Sequence, residues 1–262
     1  MTRSNTENSV KKSTCERYLP ALKAVSSSLA KLTFSPLRRP SVLKDNAPTQ
    51  EIIQWAVHLY CFSVLSHYRE MLRTFLSLTG LGAVPAAFVI SRCLFEMGAH
   101  SYYVHKHVTQ YLGPGDLKSV WGFLKEINMG NLYMKGKGVG EKNNDATRDF
   151  PLPRDIGKIV RCFNEVAAGR AVETYSYLSE FAHPNMAAFN HYYKMEALKD
   201  QIMQVEFIEP PRDSFDAPLA EVAISTAVLD FTLKLLITTR ENNVSSQITQ
   251  ILNNFFDSTK RI

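Results

Sequence analysis

Apolar side chains recur every three or four residues over most of the chain, the spacing that places them on one face of an α-helix. The pattern is clearest in two long stretches. The first, 49–79, opens with Thr49 as N-cap and closes at Gly80, whereas the second, 84–112, has Pro85 in its first turn. These residues are typical of helix boundaries. Because the connection between the stretches is short, the two helices are expected to pack antiparallel.

Shorter stretches with the same spacing predict the remaining helices. They are 15–33, 115–129, 154–182 (two helices meeting at Gly169), 216–240 and 241–258. Two β-like runs, 187–194 and 202–208, predict a small hairpin near 187–208. Segment 130–153 has no periodicity and predicts a long loop, functional or mobile. The fold class is therefore mainly α: a helical bundle with two long antiparallel helices and a small β-hairpin.

The net charge of +5 is concentrated at one end of the chain. Residues 1–44 hold nine basic and two acidic residues, so the remainder of the chain carries −2. Such a basic segment can bind phosphate backbones or an acidic partner, or it can be a solvated tail. We divide the chain into a basic N-terminal arm, 1–48, partly disordered or helical, and a single α-helical domain, 49–262.

Several classes of protein are excluded by what the sequence lacks. The four cysteines are Cys15, Cys61, Cys93 and Cys162. Without C-x-x-C spacing they predict free thiols in a cytoplasmic protein. The uncharged stretches 52–68 and 74–91 are better core helices than membrane spans, because polar residues or glycines and a proline interrupt them. No nucleotide-binding loop or hydrolase motif occurs, and we expect neither a metal ion nor a cofactor.

The first candidate for chemistry is the row Arg92, Glu96 and His100, which share one face of the helix 84–112. A paired arginine and glutamate can orient a phosphate or a catalytic histidine. The same spacing is also typical of an ordinary surface ion pair. Both interpretations remain open from the sequence.

The second candidate is the segment that contains Tyr175, Ser179 and His183 on one helical face, ended by Pro184 and followed by Asn185. A histidine at a helix C-terminus can act as general acid or base near neutral pH. It can equally cap the helix by binding its last carbonyl groups.

A third candidate is the Gly- and Lys-rich stretch that contains Lys135 and Lys137. It can cradle a phosphate or form a flexible surface loop, but it follows no strand and is not a P-loop. With Tyr175, Ser179 and Asn185, these lysines complete the candidate substrate-binding set.

The sequence ISRCLFEMGAHSYYV around Arg92 and Glu96, followed by YSYLSEFAHPN around His183, resembles a set of bacterial α-helical proteins related to HEPN domains. The resemblance covers roughly 49–240. Many HEPN proteins are metal-independent ribonucleases of toxin–antitoxin or antiphage systems, in which an Arg and a His lie close together on one helix and two copies meet in a dimer. Here seven residues separate Arg92 from His100, which departs from that signature.

The resemblance implies an RNA-targeting effector, a metal-independent ribonuclease of bacterial toxin or antiphage defence, with RNA, a protein partner or a second copy of the chain as partners. Arg92 would stabilise phosphate charge, while His183 or His100 moved the proton of the 2′-hydroxyl and Glu96 oriented one of them.

Two alternatives belong to other classes of function. A non-enzymatic interaction or regulatory protein, such as a complex subunit, would have these residues apart or engaged in structural pairs, with an exposed apolar face for its partner. A small-ligand-binding bundle would enclose a pocket, for which Trp55, Phe62 and Tyr103 are candidate lining residues.

Overall fold

The computed structural model describes residues 14–34, 48–135, 156–182, 193–197, 203–207, 216–238 and 242–260. Its helices are α1 (Thr14–Ala30), α2 (Gln50–Gly80), α3 (Val84–Leu112), α4 (Leu117–Lys135), α5 (Ile156–Phe163), α6 (Ala171–Ala182), α7 (Asp216–Ser225), α8 (Ala227–Thr238) and α9 (Asn242–Lys260). Strands β1 (Tyr193–Ala197) and β2 (Met203–Phe207) pair antiparallel. The prediction of a mainly helical chain is confirmed.

Helix α3 lies at the centre of the bundle. It packs against α2, α4, α5, α6, α7 and α8. Its fully buried side chains include Phe88, Leu94, Phe95 and Val104. Because α3 has neighbours on most sides, any polar side chain on it must either find a partner or face an opening.

Helices α2 and α3 have the predicted boundaries to within one residue. Thr49 caps α2, its Oγ1 accepting a hydrogen bond from the Ile52 amide at 3.4 Å. In the connection 81–83, Gly82 has φ +73°, a conformation that glycine adopts without strain. Within the described ranges, no helix has the length and apolar character to cross a membrane.

The basic N-terminal segment contributes a helix to the core. Along α1, Ala21, Leu22, Val25 and Leu29 are buried at helical spacing. The helix packs against α2, α7 and α9. Part of the arm predicted for residues 1–48 is thus integral to the bundle.

The single helix predicted for 216–240 is wrong, because the structure divides it into α7 and α8 at Thr226. The side-chain hydroxyls of Ser225 and Thr226 each donate to a carbonyl three residues earlier, on Val222 and Ala223. Such bonds compete with the helical ladder and bend helices.

The predicted loop 130–153 also begins too early, because α4 continues through Lys135. A glycine such as Gly130 costs a helix only about 1 kcal/mol, and good helix formers follow it. Residues 136–153 lie outside the described residues. The predicted run 187–194 overlaps β1 only at its end, and 187–192 are not described, whereas the run 202–208 contains β2.

We expect Gly98→Leu in α3 to lower the free energy of unfolding by about 1–3 kcal/mol through overpacking. A Cβ atom at Gly98 would lie 3.4 Å from the Cα of Ser225 in α7. The matched control is Gly122→Leu in α4, where no described atom beyond the adjacent residues and the backbone of the helix itself lies within 4 Å of the new Cβ. This control should be neutral or stabilising, because leucine is the better helix former. Urea denaturation followed by circular dichroism measures both, and equal losses would contradict the close approach of α3 and α7.

Candidate functional site

Arg92 joins the two sequence motifs. Its Nε donates to Glu96 Oε1 at 3.1 Å, along the same helix. Its Nη2 donates to the Tyr175 hydroxyl on α6 at 2.8 Å, and its Cζ lies 5.1 Å from the centroid of the Tyr175 ring. Two segments that are 83 residues apart therefore meet at one guanidinium group.

The Arg92–Glu96 pair is partly withdrawn from water. The two side chains are 25% and 31% exposed. Burial acts to lower the pKa of Arg92, but the hydrogen bonds and charges of Tyr175 and Glu96 together raise it above its ordinary value. The guanidinium is a fixed cation, and two of its nitrogens are already committed to neighbours.

Glu96 and His100 open into a cavity of about 490 Å³ between α2 and α3. Its polar lining consists of Tyr60, Ser63, His67, Cys93, Glu96 and His100. Its apolar lining consists of Val64, Met71, Met97, Ile127 and Ile156, the last two from α4 and α5. A mostly apolar hollow with a few convergent polar groups is typical of a small-molecule site.

Tyr60 of α2 holds His100 in place. Its hydroxyl lies 3.0 Å from His100 Nδ1. Burial raises the pKa of Tyr60 far above its ordinary value, so the phenol keeps its proton at neutral pH. This contact engages Nδ1 and fixes the orientation of the imidazole ring.

Cys93 also faces the cavity, but as a thiol. Burial, followed by the charge of Glu96, raises its pKa and outweighs the opposite effect of Arg92. A thiol with a raised pKa is a poor nucleophile. Although several potential ligands share the cavity, no cluster of three or more His, Cys, Asp or Glu side chains in the described ranges is arranged to hold a metal ion.

The other sequence candidates are only partly placed. Ser179 donates its hydroxyl hydrogen to the Tyr175 carbonyl at 2.7 Å, a bond within α6. Lys135 is the last residue of α4, and its side chain is not described. His183, Asn185 and Lys137 lie outside the described residues.

Helix α6 runs antiparallel to α3. Tyr175 contacts Arg92. Further along α6, the Phe181 ring stacks on the ring of Phe88, with 4.2 Å between the centroids. Phe88 lies one turn before Arg92 in α3. His100 lies two turns beyond Arg92 in the opposite direction. Of the predicted catalytic residues, the structure brings Arg92, Glu96 and His100 onto one surface, the last two in the cavity.

Sequence reasoning missed the wall of the cavity that α2 supplies. Tyr60, Val64, His67 and Met71 have the spacing of a single helical face, which was the available signal. The three aromatic residues that we expected to line a ligand pocket do not line this cavity. Trp55 and Tyr103 are absent from the lining of this cavity, and Phe62 lines a separate hollow of about 200 Å³.

We expect Arg92 and Tyr175 to be coupled by about 1 kcal/mol, because a hydrogen bond to a charged group contributes about 1.5–3 kcal/mol when buried and less when partly exposed. A double-mutant cycle of Arg92→Gln and Tyr175→Phe in urea measures this coupling. The matched control pairs Arg92→Gln with Tyr177→Phe on the same helix and should give no coupling. Additivity in both cycles would show that the Arg92–Tyr175 bond has no energetic weight.

Comparison of the chain with models of known protein families, with curated proteins and with solved structures gives no match. Function must therefore be argued from the residues of the site. The site consists of Arg92, Glu96 and His100 along helix α3. Arg92 is hydrogen-bonded to Glu96, and Glu96 and His100 line the cavity.

Proposed function

We propose that this chain is a HEPN-like RNA-targeting protein that cleaves RNA without a metal ion. The observation that supports the proposal is the hydrogen bond between Arg92 and Tyr175, because it joins the two motifs on which the resemblance rests. The joined motifs lie beside a cavity that contains a carboxylate and an imidazole, the groups that acid–base chemistry needs.

In the proposed reaction His100 accepts the proton of the ribose 2′-hydroxyl. The 2′-oxygen attacks the adjacent phosphorus, the bond to the 5′-oxygen breaks, and that oxygen takes up a proton from solvent as the cyclic phosphate forms. Tyr60 positions the imidazole by binding Nδ1. His183 remains the second candidate for one of these proton transfers.

Arg92 has the role of a phosphate-binding cation. Its Nε and Nη2 are engaged, whereas Nη1 makes no hydrogen bond to any described residue. Two helical turns separate Arg92 from His100, about 12 Å along the axis. Arg92 is therefore assigned to a phosphate that neighbours the one attacked, on the side of its guanidinium away from Glu96.

The charge distribution is consistent with a nucleic acid as partner. Residues 1–44 carry nine of the basic residues of the chain and two of the acidic ones. Such clusters attract phosphate backbones irrespective of base sequence. The resemblance extends the proposal to a homodimer that acts in the cytoplasm in toxin or antiphage defence.

A non-enzymatic interaction or regulatory protein is the second candidate, and a specific observation favours it. Arg92 is bound by both Glu96 and Tyr175, as expected if these residues form structural pairs. In that case, loss of Arg92 would reduce stability and alter no activity.

We expect the purified protein to cleave total RNA or tRNA in EDTA. His100→Gln should lower the rate by about 10²–10⁴-fold, the usual contribution of a general acid or base. Arg92→Ala should lower cleavage and weaken RNA binding, and His183→Ala tests the second histidine. The matched control is Arg73→Ala, which removes an exposed arginine from α2 outside the cavity.

Gel analysis of the RNA, with melting temperatures of each variant, separates loss of chemistry from loss of fold. If the wild type leaves RNA intact, or His100→Gln cleaves at the wild-type rate, the proposed mechanism is wrong. RNA binding that persists without cleavage would favour the interaction protein.

A further inference from the structure

The chemistry of the cavity points to a particular ligand group, because the carboxylate among its described lining residues, Glu96, is only half engaged by hydrogen bonds. Glu96 Oε1 accepts the bond from Arg92 Nε. Its Oε2 accepts no hydrogen bond from the described residues. Since Glu96 lines the cavity, the carboxylate can present two acceptor oxygens to a bound molecule, Oε1 retaining a second lone pair.

The surroundings of Glu96 favour an uncharged ligand. Arg92 already balances the charge of the carboxylate, so a ligand ammonium group would find no unpaired negative charge among the described residues that line the cavity. A ligand carboxylate would meet Glu96 directly and be repelled. The preferred head group is therefore a neutral one that donates two adjacent hydrogen bonds.

The walls of the cavity favour an apolar body. Met71 comes from α2 and Met97 from α3, while Ile127 and Ile156 come from α4 and α5. These side chains offer apolar surface, and methionine adapts its shape to an irregular or planar ligand. The volume of about 490 Å³ has room for an aromatic ring and an attached sugar.

Among the RNA bases, guanine meets both requirements. Its Watson–Crick edge places the N1–H and N2–H donors on neighbouring atoms, which matches the two oxygens of one carboxylate. Adenine and cytosine place an acceptor beside their amino donor, and uracil has one N–H between two carbonyl groups. We propose that the cavity binds a guanine base, with the Watson–Crick edge on Glu96 and the ring between the apolar walls.

This inference rests on the proposed RNA substrate and names the base that the same site selects. Unpaired bases in single-stranded RNA are commonly read through this edge. Cleavage should then occur next to guanines that are unpaired. Binding of the free nucleoside tests the base site without requiring any chemistry.

Isothermal titration calorimetry of the full chain with guanosine, inosine and adenosine is the first test. Inosine keeps the N1–H and lacks the N2 amine, so it should bind about tenfold more weakly than guanosine, the effect of one hydrogen bond to a charged group. Adenosine should bind at least about 100-fold more weakly, because it offers the carboxylate an acceptor. Glu96→Gln should abolish the preference for guanosine.

The matched control is Glu70→Gln, which removes an α2 carboxylate paired with Arg69 and Arg73 outside the cavity and should leave guanosine binding unchanged. Because Glu96→Gln also perturbs Arg92, Met97→Ala provides a second variant that leaves the ion pair intact and should weaken all three nucleosides. Melting temperatures establish that each variant is folded.

The outcomes separate the two proposals. Selective guanosine binding without RNA cleavage would uphold the base site and overturn the ribonuclease. Cleavage without a guanosine preference would uphold the ribonuclease and overturn the base site. Absence of nucleoside binding, or a preference that survives Glu96→Gln, would also overturn the guanine proposal.

Discussion

The enclosure of α3 by its neighbours is the constraint on which the site depends. A polar group buried without a partner costs several kcal/mol in an apolar setting, so a helix packed on most sides can hold a charged row only where its neighbours satisfy it. Tyr175 of α6 satisfies Arg92, and Tyr60 of α2 holds His100. Glu96 lies between them, where the helices part to form the cavity. Packing thus determines which of the three residues face the cavity.

The two tyrosines have different physical roles. Tyr175 accepts a hydrogen bond from Arg92, whose Cζ lies over the Tyr175 ring, so it restrains the guanidinium by both the hydrogen bond and the face of the ring. Tyr60 is buried and remains a neutral phenol, which fixes the orientation of the His100 ring without adding a charge. The row therefore keeps one positive charge, one negative charge and one titratable ring in fixed positions.

Much of the helical architecture could be predicted from the sequence, because the boundaries of α2 and α3 depend on local signals such as Thr49 and Pro85. The shared face of Arg92, Glu96 and His100 follows from helical periodicity alone. The Tyr175 contact could not be predicted, because helical spacing says nothing about which helix packs on which, or in what direction. The side of the cavity that α2 forms could not be predicted for the same reason. The break at Thr226 depends on side-chain hydrogen bonds that compete with an otherwise strong helical pattern.

The ion pair and the cavity contribute little to the stability of the bundle. An exposed or half-exposed ion pair contributes about 0–1 kcal/mol, so the Arg92–Glu96 pair alone does little to hold the bundle together. Protein interiors are close-packed, and a purely structural bundle gains dispersion contacts by filling space with side chains. Here α2 and α3, in contact at Tyr60 and His100, leave a hollow that both apolar and polar side chains line. Apolar area that excludes water, together with polar groups in fixed positions, is typical of the lining of a small-molecule site.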